Sequence, residues 1–149
     1  MGTNRTILII DDDIDFQFMI GNTLEKSGFL VKSLLEGKIA LAVDVAKTCD
    51  LVLLDIELPG SNGIEIGQML KAQHETLHIP VIVLSGHSEV DKMFVECQAN
   101  AFIQKPFSLS GLMNKINNLL AETINDYLRG QPSADQATGF LAASGPKVL

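Results

Sequence analysis

Cysteine and histidine are scarce in this chain. Its 149 residues include two cysteines, Cys49 and Cys97, and three histidines. The cysteines lack CxxC spacing and no cluster of histidines accompanies them, so neither a disulfide framework nor a zinc site is predicted. This usage is typical of a reducing compartment, and we expect a cytoplasmic protein.

Blocks of basic residues and long apolar runs are also missing. The chain has 11 Lys and Arg against 18 Asp and Glu, a formal net charge of −7. Because the basic residues are few and scattered, direct binding to the phosphate backbone of a nucleic acid is not expected. No apolar run approaches the roughly 20 residues of a membrane span, and the first residues do not resemble a signal peptide. We therefore expect a soluble protein without a membrane or nucleic-acid partner.

Short apolar segments, by contrast, are frequent. Hydrophobic residues make up 46% of the chain, which is enough for one compact core. Four continuous apolar runs predict strands buried on both faces, and one alternating run predicts an exposed or edge strand. In chain order the five predicted strands are Thr6–Ile10, the alternating Phe29–Leu34, Leu51–Leu54, Val81–Leu84 and about Ala101–Ile103.

Segments with helical spacing follow each predicted strand. They begin near Phe16, Ile39, Ile64, Ser88 and Leu109, and the last runs to about Tyr127. Met19, Met69 and Met113 are predicted to fill the core. Alternation of strand and helix predicts an α/β domain, a parallel five-stranded sheet with helices on both faces. Residues 128–149 are rich in small residues, Pro and Gly, and are predicted to form a flexible tail.

Polar side chains follow four of the five predicted strands. Asp11 and Asp12 end the first, Asp55 the third, Ser85 the fourth and Lys105 the fifth. Ligands of open α/β sheets bind beyond the carboxyl ends of the strands. Three carboxylates at one edge repel one another unless a cation offsets them, and oxygen ligands without His or Cys favour Mg²⁺. We therefore predict a magnesium site, with the lysine and serine outlining a pocket for a small tetrahedral anion.

Four separated motifs make this sequence resemble a response regulator receiver domain, the phospho-acceptor module of two-component signalling. They are IIDD, LLDIELPGSNG, VLSG and KPF, in the expected order within about residues 5–125. The resemblance implies a single doubly wound (βα)5 domain of the flavodoxin-like class, with strand order 2-1-3-4-5.

The resemblance also implies roles for the residues at the strand ends. Asp55 is the expected phospho-acceptor, receiving a phosphoryl group from a phosphohistidine donor. Mg²⁺ is expected on Asp11, Asp12, Asp55 and the backbone carbonyl of Glu57. Lys105 is expected to pair with Asp55 before phosphorylation and with a phosphoryl oxygen after it. Asp13 is left for the start of the first helix, where the helix dipole favours a carboxylate.

A conformational switch is a further implication of the resemblance. Ser85 is expected to move toward the phosphoryl group and Phe102 to change rotamer with it. Pro106 is expected to follow a cis peptide bond. The fourth helix, fifth strand and fifth helix are the expected output face for a downstream protein target, and the same face could support a homodimer. The expected donor is a sensor histidine kinase or a histidine phosphotransfer protein.

Two alternative functions stay open at this point. One is a phosphatase with an Asp nucleophile, of the haloacid dehalogenase type, because Asp55-Ile56-Glu57 has a DxD pattern. Leu58 and Pro59 then depart from that motif. The other is a receiver that acts as a scaffold without phosphorylation, although all the acidic positions, the hydroxyl and the lysine are present. The main expectation is a signalling module that is not an enzyme, limited to self-phosphotransfer and autodephosphorylation.

Overall fold

Strands and helices alternate along the described part of the chain, except that the fifth strand is the next described element after the fourth. The computed structural model describes residues 4–60, 63–86 and 96–128. The elements are β1 (Thr6–Ile10), α1 (Ile14–Lys26), β2 (Leu30–Leu34), α2 (Ile39–Ala46), β3 (Leu51–Asp55), α3 (Gly63–Ala72), β4 (Val81–Ser85), β5 (Ala101–Gln104) and α4 (Leu109–Leu128). Helix α4 is the segment predicted as the fifth helix. The segment predicted as the fourth lies largely outside the described residues, as does the predicted tail. No described helix combines the length and apolar character needed to cross a bilayer.

The five strands form one parallel sheet in the order β2-β1-β3-β4-β5. This arrangement confirms the predicted flavodoxin-like fold. Strand β1 lies between β2 and β3, with Ile10 opposite both Leu34 and Leu54. Because the strands are parallel, the residues that come after β1, β3, β4 and β5 meet at one edge, called here the carboxyl edge.

Helices cover both faces of the sheet, and each face has its own core. Ile7 and Ile9 belong to one apolar cluster, whereas Leu8 and Ile10 belong to the other. All residues of β1, β3 and β4 are buried, which explains why these strands have continuous apolar sequences. Strand β2 lies at the edge of the sheet and is partly exposed, as its alternating sequence predicted.

The predicted core position of two methionines is wrong. Met19 is 48% exposed and Met69 is 37% exposed, while Met113 does pack against a core cluster. On α1 the buried face contains Ile20 and Leu24. Met19 is one residue from Ile20, about 100° around the helix axis, so it turns away from the sheet.

Candidate acidic site at the carboxyl edge of the sheet

The turn between β1 and α1 carries three consecutive aspartates in three different environments. Asp11 is fully buried, and its Oδ1 accepts a hydrogen bond from the Asp13 backbone N–H at 2.9 Å. Asp12 is exposed. Asp13 caps α1, because its Oδ1 accepts from the Phe16 N–H at 3.1 Å. The predicted place of Asp13 at the helix start is confirmed, which leaves Asp11 and Asp12 for the site.

Asp55 ends β3 as a nearly buried carboxylate, with 4% of the residue exposed. Its Oδ1 accepts a hydrogen bond from the Glu57 backbone N–H at 2.9 Å. Burial raises the pKa of Asp55, and the Glu57 N–H and the Lys105 ammonium offset only part of that effect. The ionised form of Asp55 is therefore poorly solvated, and nearby positive charge stabilises it.

Lys105 brings the positive charge of the site from the end of β5. Its Nζ lies 3.1 Å from Asp11 Oδ2 and 3.5 Å from Asp55 Oδ2. It also lies 4.7 Å from the centroid of the Phe16 ring, within the range of a cation–π contact. Burial by itself lowers the pKa of Lys105, but the Asp55 carboxylate, with Asp11, outweighs burial and raises it. The ammonium thus bridges two carboxylates, and the Lys105–Pro106 peptide bond is cis, as predicted.

The three carboxylates of Asp11, Asp12 and Asp55 meet the basic requirements of a divalent cation site. One oxygen from each lies within 4.8 Å of the others. Oxygen ligands of one Mg²⁺ lie about 2.1 Å from the ion, and hence at most about 4.2 Å from one another. A separation of at most 4.8 Å is close to what one such ion requires. These three carboxylates and the Lys105 ammonium together carry two formal negative charges, which a divalent cation would balance.

Ser85 has a hydrogen-bond partner that the sequence did not indicate. It ends β4, is fully buried, and donates its hydroxyl hydrogen to Glu57 Oε2 at 2.9 Å. From the sequence, only the backbone carbonyl of Glu57 is expected at the site. Phe102, the other predicted switch residue, is half-buried on β5 and packs against the core cluster that contains Leu8.

Gly63 determines how closely α3 approaches the Asp55 turn. A Cβ atom at Gly63 would lie 2.4 Å from the Ile56 Cα and 2.7 Å from the Asp55 carbonyl oxygen. Both neighbours are backbone atoms and have little freedom to move aside. Only glycine therefore lets the first turn of α3 support the backbone of the candidate acceptor.

Comparisons with known proteins agree with this fold. The model of the response regulator receiver domain matches residues 7–117. The phosphate regulon transcriptional regulatory protein PhoB of Pseudomonas aeruginosa is 37% identical over 121 residues, which cover 80% of this chain and 53% of that protein. A cyclic di-GMP phosphodiesterase of Thermotoga maritima is 33% identical over 129 residues, 83% of this chain and 34% of that protein. The chain thus spans about half of the first relative and a third of the second.

A solved structure shows the same architecture over almost its whole length. It is a CheY-like response regulator receiver domain protein from Methanospirillum hungatei JF-1, with a TM-score of 0.73 and 28% identity. The alignment covers 83% of this chain and 99% of that one. The similarity therefore extends over the whole receiver-like unit.

Proposed function

The chain belongs to the family of response regulator receiver domains, and from this membership we propose that it accepts a phosphoryl group on Asp55. One observation carries the proposal, the arrangement of charges around that carboxylate. Oxygens of Asp11 and Asp12 lie within 4.8 Å of an Asp55 oxygen, and the Lys105 Nζ lies 3.5 Å away. Such a group of charges suits phosphoryl transfer, in which positioning and electrostatics supply most of the catalysis.

The proposed donor is a phosphohistidine of a sensor histidine kinase or of a histidine phosphotransfer protein. An oxygen of the Asp55 carboxylate attacks phosphorus and a P–O bond forms. The P–N bond to the imidazole breaks, and its electron pair goes to the ring nitrogen; the other ring nitrogen carries a proton, so the histidine leaves as the neutral imidazole. The products are an acyl phosphate on Asp55 and a free histidine. The Glu57 N–H, 2.9 Å from Asp55 Oδ1, keeps the carboxylate in one orientation for this attack.

Positive charge reaches the phosphoryl oxygens from two sources in this proposal. Receiver domains bind Mg²⁺ in an acidic pocket, and Asp11, Asp12, Asp55 and the Glu57 carbonyl would hold it here. When bound, Mg²⁺ supplies positive charge to the oxygens of the transferring phosphoryl group. Lys105 supplies the second charge, and its ammonium exchanges the Asp55 carboxylate for a phosphoryl oxygen after transfer.

The proposed readout is a change at the surface rather than turnover of an external substrate. Ser85 leaves Glu57 for the phosphoryl group, Phe102 follows, and the predicted output face, of which β5 and α4 are described, changes for a downstream protein. We also propose that the chain has only self-phosphotransfer and autodephosphorylation. The complete set of acidic, hydroxyl and lysine side chains argues against a scaffold that works without phosphorylation.

The direct test is incubation with a small acyl phosphate and Mg²⁺, followed by intact-mass analysis. We expect a single phosphoryl adduct that disappears when a chelator replaces Mg²⁺. An added phosphomonoester should not be turned over, which separates a receiver from a phosphatase. Absence of the adduct under saturating donor would contradict the proposed function.

The hydrogen bond between Ser85 and Glu57 leads to a prediction about the phosphorylated fraction. In Glu57→Ala the Ser85 hydroxyl loses its hydrogen bond to Glu57 Oε2, so less free energy opposes its movement toward the phosphoryl group. Since one such bond contributes about 0.5–1.5 kcal/mol, we expect the ratio of phosphorylated to unphosphorylated protein to rise about two- to thirteenfold at limiting donor. Phosphate-affinity gels or intact mass would measure it.

Glu57→Gln is the matched control for that experiment. It removes the negative charge but keeps an oxygen that can accept from Ser85. A smaller increase in Glu57→Gln than in Glu57→Ala supports the hydrogen bond as the cause. Equal increases would attribute the effect to the charge of Glu57 and contradict the prediction.

A further inference from the structure

Gln17 is a buried polar side chain of α1 that lies next to the acidic turn, and its sequence position alone predicts no role for it. It lies on α1, four residues after the Asp13 cap, and is 7% exposed. It lies on the buried face of the helix, together with Ile20 and Leu24. Because a buried amide is costly unless it is hydrogen-bonded, its contacts are informative.

The Gln17 side chain connects the ends of two strands. Its Nε2 lies 3.1 Å from the carbonyl oxygens of Ile9 and Asp11, and 3.0 Å from that of Leu34. These three acceptors fix the orientation of the amide, since the flipped amide would point Oε1 at three oxygens. Two N–H hydrogens are thus shared among acceptors from β1, the acidic turn and β2.

Two hydrogen bonds hold the backbone of Asp11, one at its N–H group and one at its carbonyl group. The Asp11 N–H donates to the Leu34 carbonyl at 3.1 Å, and the Asp11 carbonyl accepts from Gln17. The second of these groups belongs to the peptide unit that joins Asp11 to Asp12. Its orientation therefore helps to determine where both carboxylates leave the backbone.

We infer that Gln17 is a positioning residue for Mg²⁺, an inference that rests on the proposed function. Mutual repulsion of the Asp11, Asp12 and Asp55 carboxylates favours opening of the turn when no cation is bound. The Gln17 amide opposes that opening through backbone bonds that do not depend on the ion. The carboxylates are consequently in place before Mg²⁺ binds, and less of the binding free energy is used to order them.

The test is the variant Gln17→Met, which keeps the length of the side chain and loses the amide. Thr76→Val is its matched control, because Thr76 is fully buried and donates to a backbone carbonyl, that of Leu70, at 2.7 Å. The chain has no Trp, so Mg²⁺ titration would be followed through backbone amide NMR signals. Outer partners of metal ligands change metal affinity by about tenfold or more, so we expect the Mg²⁺ Kd of Gln17→Met to rise about tenfold. Thr76→Val should stay within about twofold of the wild type.

A second measurement uses the metal-free protein. Amide hydrogen exchange of Asp11 should accelerate in Gln17→Met relative to the wild type and to Thr76→Val, because the turn opens more often. Urea unfolding would confirm that both variants are folded. If Gln17→Met does not fold, Gln17→Ala leaves the three carbonyls to water and replaces it in both measurements.

The outcomes separate this inference from the proposed function. If the wild type binds Mg²⁺ and Gln17→Met binds it equally well, the inference is wrong and the proposed function stands. If both variants weaken binding to the same extent, the cause is a general loss of stability and the inference is again wrong. A wild type that does not bind Mg²⁺ contradicts both.

Discussion

Asp55→Asn is expected to abolish the phosphoryl adduct. The substitution preserves the shape of the side chain and an oxygen for the Glu57 N–H, but the neutral amide is a poor nucleophile. We expect the amount of adduct formed with a small acyl phosphate and Mg²⁺ to fall by about 100-fold or more. A loss of this size is at least as large as the loss caused by removing a general acid or base.

Asp44→Asn is the control for Asp55→Asn. The Asp44 carboxylate is exposed and pairs only with Lys47 on the surface of α2 among the described contacts, at 3.8 Å. It should accept no phosphoryl group, and its variant should be labelled like the wild type. An adduct of undiminished yield on Asp55→Asn would move the acceptor to another residue and contradict the assignment.

Asp55→Asn should also stabilise the metal-free protein at neutral pH. Burial raises the pKa of Asp55 in the folded state, so the ionised carboxylate disfavours folding. The contribution of Asp55 to the free energy of unfolding is therefore most favourable below the pKa of Asp55 in the unfolded chain, and it declines as the pH rises through the folded pKa. Urea unfolding of both proteins with a chelator should show Asp55→Asn more stable at pH 7, with a smaller difference at pH 4.

Loss of Mg²⁺ binding in Asp12→Ala, but not in Asp13→Ala, is the second large effect that we expect. Asp12 is the exposed member of the three carboxylates. It can therefore bind a cation without giving up another partner among the described residues. Asp13 instead caps α1 through the Phe16 N–H. We expect the Mg²⁺ Kd to rise by about 100-fold in Asp12→Ala, as for removal of a charged ligand, and to change by less than about threefold in Asp13→Ala.

Stability should show the reverse order for the two variants. Loss of an N-cap costs about 1 kcal/mol, so Asp13→Ala should lower the free energy of unfolding of the metal-free protein. Asp12→Ala should lower it less, or raise it, because it removes one of three repelling carboxylates. Titration by NMR and urea unfolding would measure the two quantities. Stronger dependence of Mg²⁺ binding on Asp13 than on Asp12 would show that the assignment of the turn is wrong by one residue.

Much of the fold could be predicted because the signals were local and mutually consistent. The continuous runs at Thr6–Ile10 and Val81–Leu84 are strands buried on both faces, and the alternating run Phe29–Leu34 is the edge strand. The four polar groups at the strand ends lie at one edge because parallel strands share a direction. Asp11, Asp12, Asp55 and Lys105 are brought together there by topology alone.

Side-chain partners were much less predictable. Met19 has helical spacing like its neighbours, yet the angle at which α1 packs leaves it exposed. Glu57 and Ser85 are far apart in sequence, and nothing local indicates that their side chains share a hydrogen bond. Gln17 falls on the buried face of α1, where the other residues are apolar. A polar residue at such a position was the one signal in the sequence that could have identified it.

The sequence by itself determined the order and type of the elements, the location of the acidic site and the identity of its charged residues. Those features depend on hydrophobic periodicity and on the residue types at the end of each strand, both of which can be read along the chain. Only the tertiary structure decided which two carboxylates are buried, that Lys105 bridges Asp11 and Asp55, and that Gln17 holds the turn of Asp11. These depend on distances between segments remote in sequence, and on desolvation, which exists only once the sheet and helices have packed.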